Sequence, residues 1–412
     1  MLSCEDIMTG HFVKQELAKG EAAVSIVKLV SLLIDEARDL GASDIHIDPQ
    51  RESLRVRYRI DGWLCRAYDL PKRFHGEIIS RIKIMSGLRT DEHQAAQDGR
   101  FCASLDGQRP YDVRVSVAPT YYGENAVLRL LSDKAGEFTL ASLGFSGNNQ
   151  KKIDEAVKKP YGMILATGPT GSGKTTTLYT LLKSLNRPEV SIVTIEDPIE
   201  YSIDGIEQIQ VNSRTSLTFA NGLRSILRQD PNIIMVGEIR DSETAGIAVN
   251  AALTGHLVFS SLHTNDAATT LPRLLDMGVE SYLLASTVNV AVGQRLVRKI
   301  CPHCKAVRKI TGLELKSLEG VIDEKTLHGT DEFYYGKGCD KCANLGYRGR
   351  VGIHEVLVPD TQITEAVLRK SPAGEIKKIA AGQGMISMIE DGFLKARQGI
   401  TTIEEVLKMA YE

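Results

Sequence analysis

This chain lacks several things, and each absence excludes a class of protein. It has no long apolar run. The longest stretch without a charged residue, Thr244 to Asn265, contains Asn250, Gly255, His256, His263 and several hydroxyls, which suits buried core and not a bilayer span. Nor does charge of one sign dominate: 50 Lys and Arg stand against 52 Asp and Glu, a formal net charge of −2. Nothing global therefore argues for a nucleic acid or a membrane surface as partner. The N-terminus lacks the basic-then-apolar order of a secretory signal. Cysteine is sparse and odd in number, seven in all, with four placed as two CxxC pairs. That count suits a reducing compartment with a metal site better than a disulfide framework.

What is present is the composition of a soluble globular protein, 42% hydrophobic and 25% charged. At 412 residues the chain is too long for one ordinary domain, so two or three are expected. Residues 21–40 place Ile26, Val30, Leu33, Ala37 and Leu40 at helical spacing, with Gly41 as C-cap. Leu54, Val56, Tyr58 and Ile60 then alternate with Arg55, Arg57 and Arg59, and Asp61-Gly62 supplies a hairpin turn. A helix around 74–86 and alternating strands at "YDVRVSVAP" and "ENAVLRLL" complete an α+β unit. The arginine face reads first as a solvated strand face and second as an interface. Residues 132–150 have weak periodicity and read as a linker. Beyond them "GMILATG", "VSIVTIED", "NIIMVGE" and "HLVFSSLH" alternate with helical segments, the pattern of a parallel sheet with crossover helices. A Cys-bearing, turn-rich segment follows, then helices, the last with Thr402 and Glu405 placed as a capping box.

"GPTGSGKTTTLYTLL" fits G-x-x-x-x-G-K-[ST] between an apolar strand and a helix-forming run. Gly168, Pro169, Thr170, Gly171, Ser172 and Gly173 would wrap phosphates with backbone N–H groups at a helix N-terminus, assisted by Thr176. Lys174 would reach the outer phosphates, and Thr175 would place its hydroxyl on Mg2+. Hydrolysis also needs acids. Glu196 and Glu238 stand at the ends of core strands, where α/β sheets hold their ligands. In "NIIMVGEIRD" a glycine, Gly237, occupies the place where an aspartate often ends such a strand. His256 and His263 bracket the next strand, and read equally as structural or as sensors of the terminal phosphate. Cys301, Cys304, Cys339 and Cys342 suit closed tetrahedral Zn2+ better than redox chemistry. His303 inside the first knuckle is not expected to be a ligand, and Cys4, Cys65 and Cys102 show no partner pattern. Residues 296–350 carry eleven Lys/Arg against seven Asp/Glu. Four thiolates and one zinc leave a weak charge of about +2, which favours scaffolding or partner contact over nucleic-acid binding.

Taken together, the P-loop, "TIEDPIEY", "RQDPNIIMVGEIRD" and "TGHLVFSSLHTNDA" resemble the secretion ATPases, that is, general secretory pathway protein E and the type IV pilus assembly ATPases. "GASDIHIDP", "YDVRVSVAPTYYGENAVLRLL", "KGCDKCANLGYRGRVGIHEVL" and "GITTIEEVL" extend the resemblance over nearly the whole chain from residue 21. It implies an α/β protein: a leader 1–20, a PAS-like α+β domain 21–133, a linker 134–149, a RecA-like P-loop ATPase core 150–297, a tetracysteine zinc insertion 298–350 and a helical region 351–412. It further implies a homohexamer, cytoplasmic and peripheral at the inner membrane, hydrolysing ATP with Mg2+ to drive pilus assembly or type II secretion. Its partners would be an inner-membrane platform protein and a cytoplasmic docking protein, with no nucleic acid and no transmembrane segment. Arg114 and Arg129 match arginines offered to the phosphates from the N-terminal domain. Glu196 and Glu238 share the polarising of water and the holding of magnesium through its waters, with Glu196 the favoured base. Family members often carry a docking domain ahead of this module, whereas residues 1–20 alone precede it here, in a short member or in part of a longer chain. Ala96 stands where the family pattern expects proline. The competing readings are a P-loop DNA translocase or conjugation-type motor, and a scaffold that binds ATP without turnover. Retraction motors, a sister group, usually lack the tetracysteine module.

Overall fold

The computed structural model describes residues 11–19, 23–103, 111–131, 138–309, 311–313, 316 and 332–410. Residues 1–10 of the expected leader, 132–137 at the start of the expected linker, and 317–331 between the CxxC pairs lie outside the described residues. The chain divides into two units. One comprises Met1–Lys134, Arg298–Val307 and Tyr334–Gly349; the other Ala135–Val297, Arg308–Phe333 and Arg350–Glu412.

In the first unit six antiparallel strands form one sheet: β1 (Ala42–Pro49), β2 (Ser53–Ile60), β3 (Trp63–Pro71), β4 (Gln97–Ala103), β5 (Tyr111–Thr120) and β6 (Gly123–Leu130), in the order β3-β2-β1-β6-β5-β4. Alternation in β2 buries Leu54, Val56, Tyr58 and Ile60 as expected and turns its arginines outward. There Arg57 pairs with Asp48 at 2.7 Å, Arg59 with Asp44 at 3.2 Å and Arg55 with Asp69 at 3.5 Å. The helix Ile26–Asp39 starts at Ser25, whose hydroxyl accepts from the Lys28 N–H, and it buries Leu29, Val30, Leu33, Ile34 and Ala37 against the sheet. Ile26 and Leu40, expected on that stripe, are half-buried because they lie in the first turn and at the cap. The hydroxyls of Tyr58 and Tyr68 both reach the Glu36 carboxylate at 2.8 to 3.0 Å, which ties helix to sheet through polar groups. Strand β4 escaped the sequence reading because an edge strand needs no apolar alternation. Cys65 is buried and disulfide-bonded, where its spacing predicted an ordinary cysteine.

The strands of the second unit are β7 (Gly162–Thr167), β8 (Ile192–Glu196), β9 (Glu207–Gln210), β10 (Ile233–Val236), β11 (Leu257–Leu262) and most of β12 (Val288–Ile300), whose residues from Arg298 on belong to the first unit. After a two-stranded ribbon, β13 (Lys305–Lys309) and β14 (Glu332–Gly336), comes β15 (Tyr347–Leu357), giving a sheet ordered β15-β12-β7-β11-β10-β8-β9. Strands β7 to β12 pair in parallel. Every residue of β7, β8, β10 and β11 is buried, and apolar clusters cover both faces. The described part of the expected linker carries helix: Leu140–Leu143, capped by Thr139, and the start of Gly147–Val157, capped by Ser146. Short polar caps and few apolar residues hid these from periodicity.

The C-terminal helix Met388–Arg397 carries a buried ion pair, Asp391 with Lys395, whose ammonium also donates to the Gly352 carbonyl at 2.8 Å. The same Asp391 oxygen accepts from the His354 N–H at 2.8 Å. Burial pushes the Asp391 carboxyl up and the Lys395 ammonium down, each opposed by the other's charge. Removing one partner would strand the other. Asp391→Ala is therefore expected to cost about 3–5 kcal/mol in denaturant unfolding, with most of the loss recovered when Lys395→Met is added; equal stability of wild type and Asp391→Ala would refute the coupling.

Candidate functional site

Parallel pairing sets four strand ends side by side. Leu262 of β11 lies opposite Thr167 of β7, Ser260 opposite Val236 of β10, and Val236 opposite Ile195 of β8. The P-loop follows β7, Glu196 ends β8, Glu238 follows β10 and His263 follows β11. All four sit at the carboxyl edge, where such sheets bind ligands.

The loop Gly168–Gly173 feeds the helix Lys174–Leu185. Gly173 caps it at φ 89, a conformation costly for any residue with a Cβ, and a Cβ there would meet Gln294 Nε2 at 2.7 Å. Gln294 is itself buried and braces the loop. Its Nε2 donates to the Ser172 carbonyl at 2.8 Å, and its Oε1 accepts from the Thr177 hydroxyl at 2.7 Å. Sequence reasoning missed this residue, because nothing in its local pattern marks it. The Lys174 ammonium folds onto its own loop, donating to the Gly168 carbonyl at 2.8 Å and to the Pro169 carbonyl at 3.1 Å. Burial pushes it down, opposed by the charge of Glu238. The Ser172 hydroxyl is buried with no hydrogen-bond partner. A lysine spent on loop carbonyls and an orphaned hydroxyl are what a phosphate would satisfy.

Glu238 is held by its neighbours' backbone. Gly237 N donates to the Ile195 carbonyl at 2.8 Å, the Ser261 hydroxyl to the Gly237 carbonyl at 2.7 Å, and Ile239 N to the Ser261 carbonyl at 3.0 Å. A Cβ on Gly237 would sit 3.3 Å from the Ile195 carbonyl oxygen and 3.4 Å from Glu196 Cα, a close fit against β8. The Glu238 carboxylate meets Arg240 Nη2 at 2.6 Å through one oxygen and His263 Nε2 at 3.2 Å through the other. Glu196 is differently placed. It is buried and accepts from the Tyr179 hydroxyl, the Thr194 hydroxyl at 2.6 Å and Gln208 Nε2 at 3.2 Å. Burial pushes its carboxyl up against those donors, and half-buried Glu200 pushes it further. Tyr179, Gln208 and Glu200 carry no sequence spacing that marks them.

His256 is a correction. It precedes β11, so it lies at the opposite edge, where its carbonyl accepts from Gly162 N at 3.1 Å and its Nδ1 lies 3.0 Å from the Ala251 carbonyl. Six strand residues separate it from His263, about 20 Å at the rise of a strand.

A family model described as type II/IV secretion system protein matches residues 19–408. The chain belongs to this family of secretion and pilus-assembly ATPases. It is 48% identical over 385 residues to the type IV pilus assembly ATPase PilB of Thermus thermophilus, covering 93% of this chain and 43% of that protein. Against PilB of Myxococcus xanthus it is 45% identical, over 95% of this chain and 69% of the relative. Against the type II secretion system ATPase E of Vibrio cholerae it is 45% identical, over 97% of this chain and 78% of the relative. The chain thus spans less than half the length of one of these relatives and about seven- to eight-tenths of the others. The pilus retraction motor PilT with bound ADP superposes with a TM-score of 0.61 at 27% identity, covering 93% of this chain and 97% of that one.

In this secretion-ATPase chain the four cysteines converge. Cys301, Cys304, Cys339 and Cys342 place their sulfurs all within 4.8 Å of one another, and His303 is not among them. Sulfur separations of 3.7 to 3.9 Å match the ~3.8 Å edge of a tetrahedron with zinc–sulfur arms of about 2.3 Å. The N–H groups of Cys339 and Gly346 each approach Cys342 Sγ at 3.3 Å, the contacts a thiolate accepts. The set fits a structural zinc. Arg114 and Arg129 lie directly opposite each other on β5 and β6, facing away from the buried Val113, Val115, Leu128 and Leu130. No described helix is long and apolar enough to cross a membrane.

The cysteine segments touch the N-terminal sheet within one unit. The Arg298 guanidinium lies 4.8 Å from the ring of Trp63, the chain's single tryptophan, and 3.9 Å from that of Tyr347. Gly349 N donates to Asp61 in the turn beside Trp63 at 2.7 Å. Stripping metal with a chelator is expected to red-shift and weaken Trp63 emission and to speed proteolysis within 298–350, while the P-loop unit keeps its melting transition. Unchanged emission and equal protease resistance would count against a structural metal.

Proposed function

We propose that this protein is a homohexameric motor that hydrolyses ATP at the cytoplasmic face of the inner membrane to drive type IV pilus assembly or type II secretion. The observation that carries this reading is the meeting of Lys174, Glu238 and His263 at one edge of the sheet. The chain also belongs to the secretion and pilus-assembly ATPases. Residues Gly168 to Thr176 hold the phosphates, Lys174 exchanging loop carbonyls for phosphate oxygens. The Thr175 hydroxyl would hold Mg2+, which when bound neutralises phosphate charge. We assign the orienting of water to Glu238, with His263 steadying that carboxylate. Glu196 already accepts from three donors and its burial favours the neutral acid, so it is a positioning residue that holds the end of β8. Arg114 and Arg129 supply guanidinium groups for charge developing on the phosphates. Cys301, Cys304, Cys339 and Cys342 would hold Zn2+ as a structural centre. The partners are an inner-membrane platform protein and a cytoplasmic docking protein. The near-neutral charge gives no support to a DNA-pulling motor.

Lys174→Ala is expected to abolish turnover with the fold intact, and Glu238→Gln to lower it by about 10²–10⁴-fold while nucleotide affinity stays within a factor of about two. Hydrolysis at the wild-type rate by either variant would dismiss the site. In the native host, chromosomal Lys174→Ala should abolish surface pili or secreted enzymes. Loss of pili alone marks a pilus motor, loss of secretion alone a type II motor, and no loss of either overturns the reading.

A further inference from the structure

Residues 263–267 lead from the end of β11 into the helix Ala267–Asp276, and they are tied down at both ends. At the near end Thr264 N donates to the Thr167 hydroxyl at 3.1 Å, and Thr167 is the residue before the P-loop. The two threonine hydroxyls also meet. At the far end Ala267 N donates to Glu355 Oε1 at 2.6 Å. Glu355 comes from β15 and is buried, and its Oε2 accepts from Met388 N at 3.4 Å, at the start of the helix Met388–Arg397. One carboxylate thus joins the segment that carries His263 to a C-terminal helix. A second tie runs beside it, from Lys377 Nζ on the helix Ala373–Gly382 to Asp266 Oδ2 at 3.1 Å.

The Glu355 side chain crosses β12 at Gly293. A Cβ there would meet Glu355 Cγ at 2.8 Å and Ala267 N at 3.0 Å, so any side chain would press on the crossing. Gly293 lies opposite Thr167 in the sheet and precedes Gln294, which braces the P-loop. Burying a carboxylate is costly unless its oxygens find donors, and capping alone does not call for it here. Asp266 already caps the helix Ala267–Asp276, accepting from Thr269 N at 2.8 Å. Ser387 and Glu390 already cap the helix Met388–Arg397 in a capping box. What Glu355 adds is the join, with one oxygen at each helix N-terminus, where negative charge is favoured. His263 is exposed and reaches Glu238 at 3.2 Å. Its backbone is set by β11 on one side and by these ties on the other.

We propose that Glu355 is a positioning residue for ATP hydrolysis: by clamping the segment after β11 to the C-terminal helices, it holds His263 against Glu238. This rests on the roles proposed above for Glu238 and His263. The test is steady-state ATP hydrolysis by the full chain, in the wild-type and in a His263→Ala background. Glu355→Gln keeps the shape, removes the charge and sets an amide donor against one of the two N–H groups. It is expected to lower kcat by about ten- to a hundredfold, the cost of a small misplacement in an active site, with KM for ATP held within a factor of about two. Lys377→Ala should lower kcat by about two- to fivefold, the worth of an exposed pair. Against the residual turnover of His263→Ala, neither change should lower kcat further, because residues acting through one another are not additive. Arg369→Ala, which breaks an exposed pair with Glu375 among the same C-terminal helices, should leave kcat unchanged. Wild-type kcat in both Glu355→Gln and Lys377→Ala, with His263→Ala impaired, would overturn this proposal alone. An equal fall in both backgrounds would also overturn it, since Glu355 would then stabilise the fold without acting through His263. Wild-type turnover by His263→Ala would remove that histidine from the nucleotide site, and the clamp would fall with it. If Glu355→Gln loses its cooperative melt, the exposed Lys377→Ala decides by the same criteria.

Discussion

A strand buried on both faces has nowhere to put charge except at its ends, and the nucleotide unit is organised by that constraint. Strands β7, β8, β10 and β11 are buried at every position. An unpaired polar group inside them would cost several kcal/mol (about 2–7). The polar side chains these strands do carry are all engaged, and all near the carboxyl edge. Thr167 bonds to Thr264, Thr194 to Glu196, Ser260 to the Val236 carbonyl and Ser261 to the Gly237 carbonyl. The hydroxyls of Thr167, Ser260 and Ser261 fasten one strand end to a neighbour, while that of Thr194 holds Glu196 within β8. The P-loop and Glu238 leave the sheet from a fixed edge, and the helix after the loop adds its N-terminal N–H groups at the same place.

Two carboxylates at that edge differ by environment and not by residue type. Glu196 is sealed among Tyr179, Thr194 and Gln208, where burial raises its affinity for a proton. Glu238 is bracketed by Arg240 and His263, and its field reaches Lys174. Burial opposes an ionised carboxylate, and it is Glu196 that is buried. The division of labour between acid boxes that look interchangeable in sequence follows from which one the fold closes over. Gly237 lets the strand end lie close against β8.

Much of this was legible beforehand. The P-loop, the buried strands and the two CxxC pairs depend on local pattern, and local pattern survives folding. The side chains that brace the loop and the acids were not legible. Gln294 and Gln208 reach the site from distant strands, and only the tertiary structure sets Gln294 beside Ser172. His256 misled because two histidines bracketing one strand look equivalent in sequence, while a parallel strand has one end at the ligand edge and one away from it. The cysteine segments read as a module of their own, yet Arg298, Tyr347 and Gly349 engage Trp63 and Asp61, contacts between residues hundreds of positions apart that no periodicity encodes.

The arginine face shows how pairing, and not count, distinguishes a solvated face from a site. On β2 each arginine meets an aspartate: Arg55 meets Asp69, Arg57 Asp48 and Arg59 Asp44. That part of the sheet is electrically closed, as an ordinary exposed strand face should be. Toward β4 the pairing thins: Asp44 is shared between Arg59 and Arg129, and among the described residues no ion pair engages Arg100. The register that sets arginines opposite one another on β4 to β6 sets aspartates beside them on β1 to β3, so pairing follows strand order and not arginine count.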